Sequence, residues 1–172
     1  MGKIKEGKGP IIGNAGEYLV AGELLKRGVI AALTPRNSPG FDVLATNGIK
    51  SVNIRVKTKT TAANTWVWIC KKDEKRTLFK NLSSESDFTV LVDLRDQQSP
   101  PEYYVLPTVE LDRRLRKLFD DWFKTPSKGS KPHNPSNRMY RIGSSVKECK
   151  GAWSLILNAL ETTSPRILSP GA

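Results

Sequence analysis

The sequence predicts an α/β domain in which a helix, a β-hairpin, a buried strand and a second helix follow one another. Three observations lead there. The stretch "NAGEYLVAGELLKR", Asn14 to Arg27, carries apolar residues at helical spacing. Two alternating runs, "GFDVLA" and "IKSVNIRVKTK", flank an Asn47-Gly48 pair, a strong hairpin signal. "DFTVLVDL", Asp87 to Leu94, is apolar almost throughout, as a strand covered on both faces requires.

The first helix ends in cations and is closed by Gly28, both suited to a helix C-terminus. In the hairpin, Val52, Ile54 and Val56 alternate with Asn53, Arg55 and Lys57. A two-residue turn would set Val43 against Val52 and Asp42 against Asn53, gathering Asp42, Asn53, Arg55 and Lys57 on the polar side. "TWVWIC", Thr65 to Cys70, reads as a third strand, and "KKDEKR" after it as a solvated turn. "EYYVLP" is a further strand. From Thr108, a capping residue, an amphipathic helix places Leu111, Leu115, Leu118 and Trp122 on one face and Arg113, Arg114, Arg116 and Lys117 elsewhere. The segment from Thr125 to Asn137 is rich in Pro, Ser, Gly and Lys and reads as a long basic loop. A last helix is expected from Val146 to Leu160, with Cys149, Trp153, Ile156, Leu157 and Leu160 inward. No internal repeat is visible. Residues 1–12 form a flexible basic lead-in, 13–161 a single domain, and 162–172 a flexible tail.

Composition narrows the chemistry. With 28 Lys and Arg against 17 Asp and Glu, the 172-residue chain carries a net charge of +11, which favours a polyanionic partner. Cys70 and Cys149 are too few for a disulfide framework and lack zinc spacing, so they read as buried thiols in a reducing cytoplasm. No apolar run approaches membrane-spanning length and no signal peptide is visible, so a cytoplasmic protein is expected. His133 is the only histidine, which leaves serine–histidine triads and multi-histidine metal sites without material. The glycines of "GKGPIIG" match neither a dinucleotide fingerprint nor a phosphate loop.

Two carboxylates stand out. Glu17 shares a helix side with Val20, Ala21 and Leu24, a side that should face the sheet. It either serves a site there or closes a capping box with Asn14 as N-cap. Asp42 either belongs to such a site or is the hairpin ion-pair partner of Arg55, a contact worth only about 0–1 kcal/mol if exposed.

The order of a helix bearing Glu17, a strand bearing Asp42, a turn, and a strand ending "VNIRVKTKT" resembles the PD-(D/E)XK nuclease superfamily. The match is strongest from Gly13 to Thr60 and extends loosely to about Leu160. It implies a restriction-endonuclease-like core, a mixed β-sheet flanked by helices, and a divalent-metal-dependent DNA endonuclease using Mg²⁺, with Mn²⁺ able to substitute. By position Glu17 and Asp42 are the metal ligands implied and Lys57 the lysine that assists the attacking water. Arg55 stands where the family has an acid or glutamine; it would lie beside the scissile phosphate, with Glu23 or Asp73 conceivable as a displaced acid. The resemblance also implies a homodimer.

DNA, double-stranded or branched, would be held by neutralising phosphates, with Arg55, Lys57, Lys59, Lys71, Lys72, Lys128 and Lys131 as the candidates. Trp66 and Trp68 either stack bases or fill a buried sheet face. No zinc finger, helix-turn-helix or basic zipper announces sequence readout. Two other readings stay open: a nuclease-fold module that binds nucleic acid without cutting, and a protein-interaction subunit.

Overall fold

The structure, a computed structural model, describes residues 9–35, 40–60, 63, 65–69, 84–95, 98–126, 133–134 and 139–161. Of the sequence expectations, Cys70, Lys71, Lys72, Asp73, Lys128, Lys131, most of the basic loop and the tail fall outside them.

Helix α1 runs Gly9–Lys26 and is followed by strands β1, Ile30–Leu33, and β2, Val43–Thr46. Next come β3, Ser51–Lys59, β4, Trp66–Ile69, β5, Asp87–Asp93, and β6, Glu102–Pro107. Helix α2, Thr108–Lys124, strand β7, Met139–Ile142, a 3-10 helix, Ser144–Cys149, and helix α3, Ser154–Leu160, complete the fold. Five strands form a mixed sheet in the order β1-β2-β3-β5-β6, with β3 parallel to β5 and the other neighbours antiparallel. Strands β4 and β7 pair separately.

Apolar side chains sort to the two faces of the sheet. Val20 and Leu24 of α1 and Ile156 and Leu160 of α3 pack with Val43, Ile54, Val90 and Val105 on one face. Leu111, Leu115 and Phe119 of α2 pack with Trp66, Leu91, Tyr140 and Ile142 on the other. Strand β5 lies between both layers and is buried from Asp87 to Val92, which is why its sequence shows no alternation. Among the described residues no helix is long and apolar enough to cross a membrane.

Several local expectations are corrected. The hairpin loop has four residues, with Thr46 opposite Ser51 and Val43 opposite Ile54. Side chains favour that longer loop: Asn47 Oδ1 accepts the N–H groups of Ile49 and Lys50 at 2.9 and 2.8 Å, and Thr46 Oγ1 accepts that of Gly48 at 3.0 Å. The slip is two residues, so every side chain keeps its face. Strand β1 has no counterpart in the sequence reading, although the apolar "VIAALT" between Gly28 and Pro35 signals it. Thr108 does not cap α2: it is wholly buried, and its hydroxyl hydrogen-bonds that of Thr89 at 2.9 Å. Phe119, rather than Leu118 or Trp122, completes the buried stripe of that helix.

The expected helix from Val146 to Leu160 is broken. Val146 and Cys149 pack on the α2 face, whereas Trp153, Ile156 and Leu160 pack on the α1 face, so the chain must turn around the β6 edge between them. Gly151 makes that turn at φ +65°, donating its N–H to Tyr103 O at 2.8 Å.

Candidate functional site

Strands β2 and β3 part at a defined point. Their last residue pair is Val43 with Ile54, followed by one bond from Asp42 N–H to Ile54 O at 2.9 Å. Beyond it β3 continues to Lys59, paired with β5 on one side only. In place of a neighbouring strand, the Asp42 carboxylate accepts the Val56 N–H through Oδ2 at 2.8 Å.

Alternation along β3 decides what faces what. Val52, Ile54 and Val56 belong to the core beneath α1, and Thr58 lies directly under Gly16 of that helix. Asn53, Arg55, Lys57 and Lys59 therefore occupy the opposite face. There β4 crosses above them: the Trp68 ring covers Lys57 Nζ at 5.6 Å, and the Trp66 ring covers Lys59 Nζ at 4.7 Å. Asp42, one residue before the Val43–Ile54 pair, lies close enough to Lys57 for its carboxylate to act on that lysine's charge.

The cations differ in their surroundings. Burial, with the charge of Arg55 second, holds Lys57 below its ordinary proton affinity, and the nearby Asp42 carboxylate only partly offsets this. Lys59 forms an ion pair with Asp93 at the end of β5. Arg55 makes no ion pair with Asp42: its Nη1 donates to the Gly40 carbonyl oxygen at 2.8 Å.

Glu17 lies on α1. Because that helix starts at Gly9, Asn14 lies within it and the capping box is excluded. Glu17 is half-buried and directly follows Gly16, whose contact with Thr58 seats this turn of α1 over the second half of β3.

No family model matches the chain, and no curated protein matches it in sequence. The structure of the bacterial homing endonuclease I-Ssp6803I aligns over 88% of this chain and 95% of its own, at 14% identity and a TM-score of 0.53. The chain has the restriction-endonuclease-like fold. A Holliday junction resolvase from Archaeoglobus fulgidus, Hjc, aligns over 80% of this chain and 93% of its own, at 16% identity and a TM-score of 0.44. At 14% identity the likeness to the homing endonuclease concerns the fold alone.

Within that restriction-endonuclease-like fold, Arg55, Lys57 and Lys59 lie on one face of the sheet, the Asp42 carboxylate is fastened to the Val56 N–H where β2 begins, and Glu17 belongs to the helix packed over the second half of β3. Among the described residues no group of three or more His, Cys, Asp or Glu is placed to hold a metal. The donor chemistry still fits a hard cation: Mg²⁺ keeps most of its waters and takes only one or two carboxylates. Asp42 has such an oxygen to offer, since the Val56 bond engages Oδ2 and no described cation pairs with Oδ1. The tryptophans above the lysines and the carbonyl that anchors Arg55 were not assigned to the site from sequence. The alternation of Trp66 and Trp68 signalled the first; nothing local signalled the second.

Proposed function

We propose that the chain is a divalent-metal-dependent DNA endonuclease that hydrolyses phosphodiester bonds. One observation supports the reading: the Asp42 carboxylate, held by the Val56 N–H where β2 and β3 separate, lies near Lys57, a lysine of lowered proton affinity. In this reading Asp42 and Glu17 are the residues that would hold Mg²⁺ or Mn²⁺. Such a cation supplies positive charge to a phosphate oxygen and acidity to water. The Val56 N–H fixes the Asp42 carboxylate in one orientation. Lys57, partly desolvated, would orient the attacking water, and its lowered proton affinity raises the fraction present as the neutral amine, the form able to accept a proton from that water. The Trp68 ring limits the directions in which its ammonium can point.

DNA as substrate is supported by the net charge of +11 and by the fold shared with a homing endonuclease. Double-stranded or branched DNA is the form proposed, and a homodimer would present two sites to two strands. Cytoplasmic location is part of the same proposal. The test is cleavage of plasmid and branched DNA with Mg²⁺ or Mn²⁺. Activity no greater than that of the Asp42→Ala, Lys57→Ala double variant with either metal would defeat the reading.

Arg55 favours a second reading, a module of the same fold that binds nucleic acid or a protein without cutting. A guanidinium supplies no metal-binding oxygen. That reading expects salt-sensitive DNA binding indifferent to Mg²⁺ and to Asp42→Ala, and cleavage that appears only in Arg55→Glu.

A further inference from the structure

The bond from Arg55 Nη1 to the Gly40 carbonyl belongs to a larger set. Thr34, just past β1, donates its N–H to Asp42 O at 3.0 Å and its hydroxyl to Phe41 O at 2.9 Å. The carbonyls of residues 40, 41 and 42 are thus each held by a donor from elsewhere in the chain. Two of those donors come from Thr34. The third, Arg55, lies on the strand that also receives the Asp42 carboxylate at Val56 N–H and carries Lys57. Asp42 is bound to this strand at its own N–H and at Oδ2, while the residue two before it is bound there by Arg55.

The geometry points to Arg55 as a positioning residue, which fastens the segment 40–42 to β3 and so fixes the direction of the Asp42 carboxylate. This gives a use to the cation that stands where the resembled family has an acid or glutamine. A guanidinium suits the task because its donors are held in a rigid fork, so little freedom is lost when one of them is engaged. The inference rests on the proposed function only where metal binding is the readout.

Charge and positioning predict opposite signs. A guanidinium close to a carboxylate repels a divalent cation, so on charge alone its removal tightens metal binding. If Arg55 positions Asp42, its removal weakens that binding.

The experiment compares wild type, Arg55→Ala, Arg55→Met, which keeps an apolar stem, and Arg55→Lys, which keeps charge and a donor. Mn²⁺ affinity is measured by electron paramagnetic resonance, and amide hydrogen exchange at Phe41 and Asp42 by NMR on the metal-free proteins. Arg55→Ala and Arg55→Met should each bind Mn²⁺ about tenfold more weakly, the lower end for loss of a group that orients a metal ligand. Their Asp42 amide should exchange faster, and Arg55→Lys should recover part of both effects. Unchanged exchange at Asp42, or tighter Mn²⁺ binding in both apolar variants, would overturn the inference. If wild type binds no Mn²⁺, the metal reading fails, while the exchange rates still decide the role of Arg55.

Discussion

Gly16 of α1 and Thr58 of β3 meet with no room for a side chain between them. A β-carbon built on Gly16 would stand 2.0 Å from Thr58 Oγ1 and 3.1 Å from Thr58 Cβ. The Thr58 hydroxyl is buried there and hydrogen-bonds no described residue. That contact fixes how deeply α1 settles on the sheet, and with it the height of Glu17.

Gly16→Ala should destabilise the protein by about 1–3 kcal/mol, as inserting a methyl into a packed contact does. Thr58→Ala removes the nearer obstacle and leaves only the 3.1 Å contact, so the double variant should be more stable than the two single effects added together. Urea denaturation of the four proteins checks this. Strict additivity would show that the helix shifts freely and sets no height for Glu17.

Lys57→Met should be more stable than wild type at neutral pH, since burial is the largest cause of the lowered proton affinity of this lysine. The sign with pH follows from linkage. Between the folded value and the ordinary 10.5, the unfolded chain binds more protons than the folded one, so wild-type stability rises with pH in that window. The advantage of Lys57→Met should therefore shrink as pH approaches 10.5. Denaturation at pH 7 and pH 10 measures it, and a constant difference would contradict the buried-charge account.

Glu102 anchors a cluster at the far end of β6. Its carboxylate takes Arg95 Nη2 at 2.5 Å, Lys150 Nζ at 2.7 Å and the Tyr104 hydroxyl at 2.7 Å. Hydrogen bonds from Arg95 and Lys150 hold Glu102 down to about 2, and burial pushes Tyr104 up to about 12. A depressed carboxylate stabilises the fold fully above its unfolded value of 4.5 and loses that contribution as pH falls towards 2. Glu102→Gln should be less stable than wild type at pH 7, with the gap closing across this acid range. Acid titration of stability by circular dichroism tests it.

Lys59→Gln should leave the salt dependence of DNA binding nearly unchanged. A lysine that releases a counterion from DNA contributes about 0.9 to the slope of log K against log salt. The charge of Lys59 is already matched by Asp93 beneath the Trp66 ring. Fluorescence anisotropy across a salt series would show a full unit lost only if this pair opens to meet phosphate.

Much of the fold was legible because periodicity reports burial directly. The run from Asp87 to Leu94 announced the central strand, and the Val52–Ile54–Val56 alternation assigned the faces of β3. The faces of the paired hairpin residues could be assigned even with the loop misjudged, because a two-residue slip preserves parity. Periodicity misled at Val146–Leu160, where one apolar pattern serves two faces of the sheet and breaks at Gly151.

By itself the sequence determined the α/β class, the basic character and the face on which Asn53, Arg55 and Lys57 lie, since these follow from composition and from a repeat of two along a strand. Only the tertiary structure decided that Arg55 holds the Gly40 carbonyl, that Asp93 neutralises Lys59, and that two tryptophans cover the lysines. The reason is physical. Residues distant along the chain meet through sheet order and layer packing, which local spacing does not encode, and the partner a side chain finds there sets whether its charge is free to act.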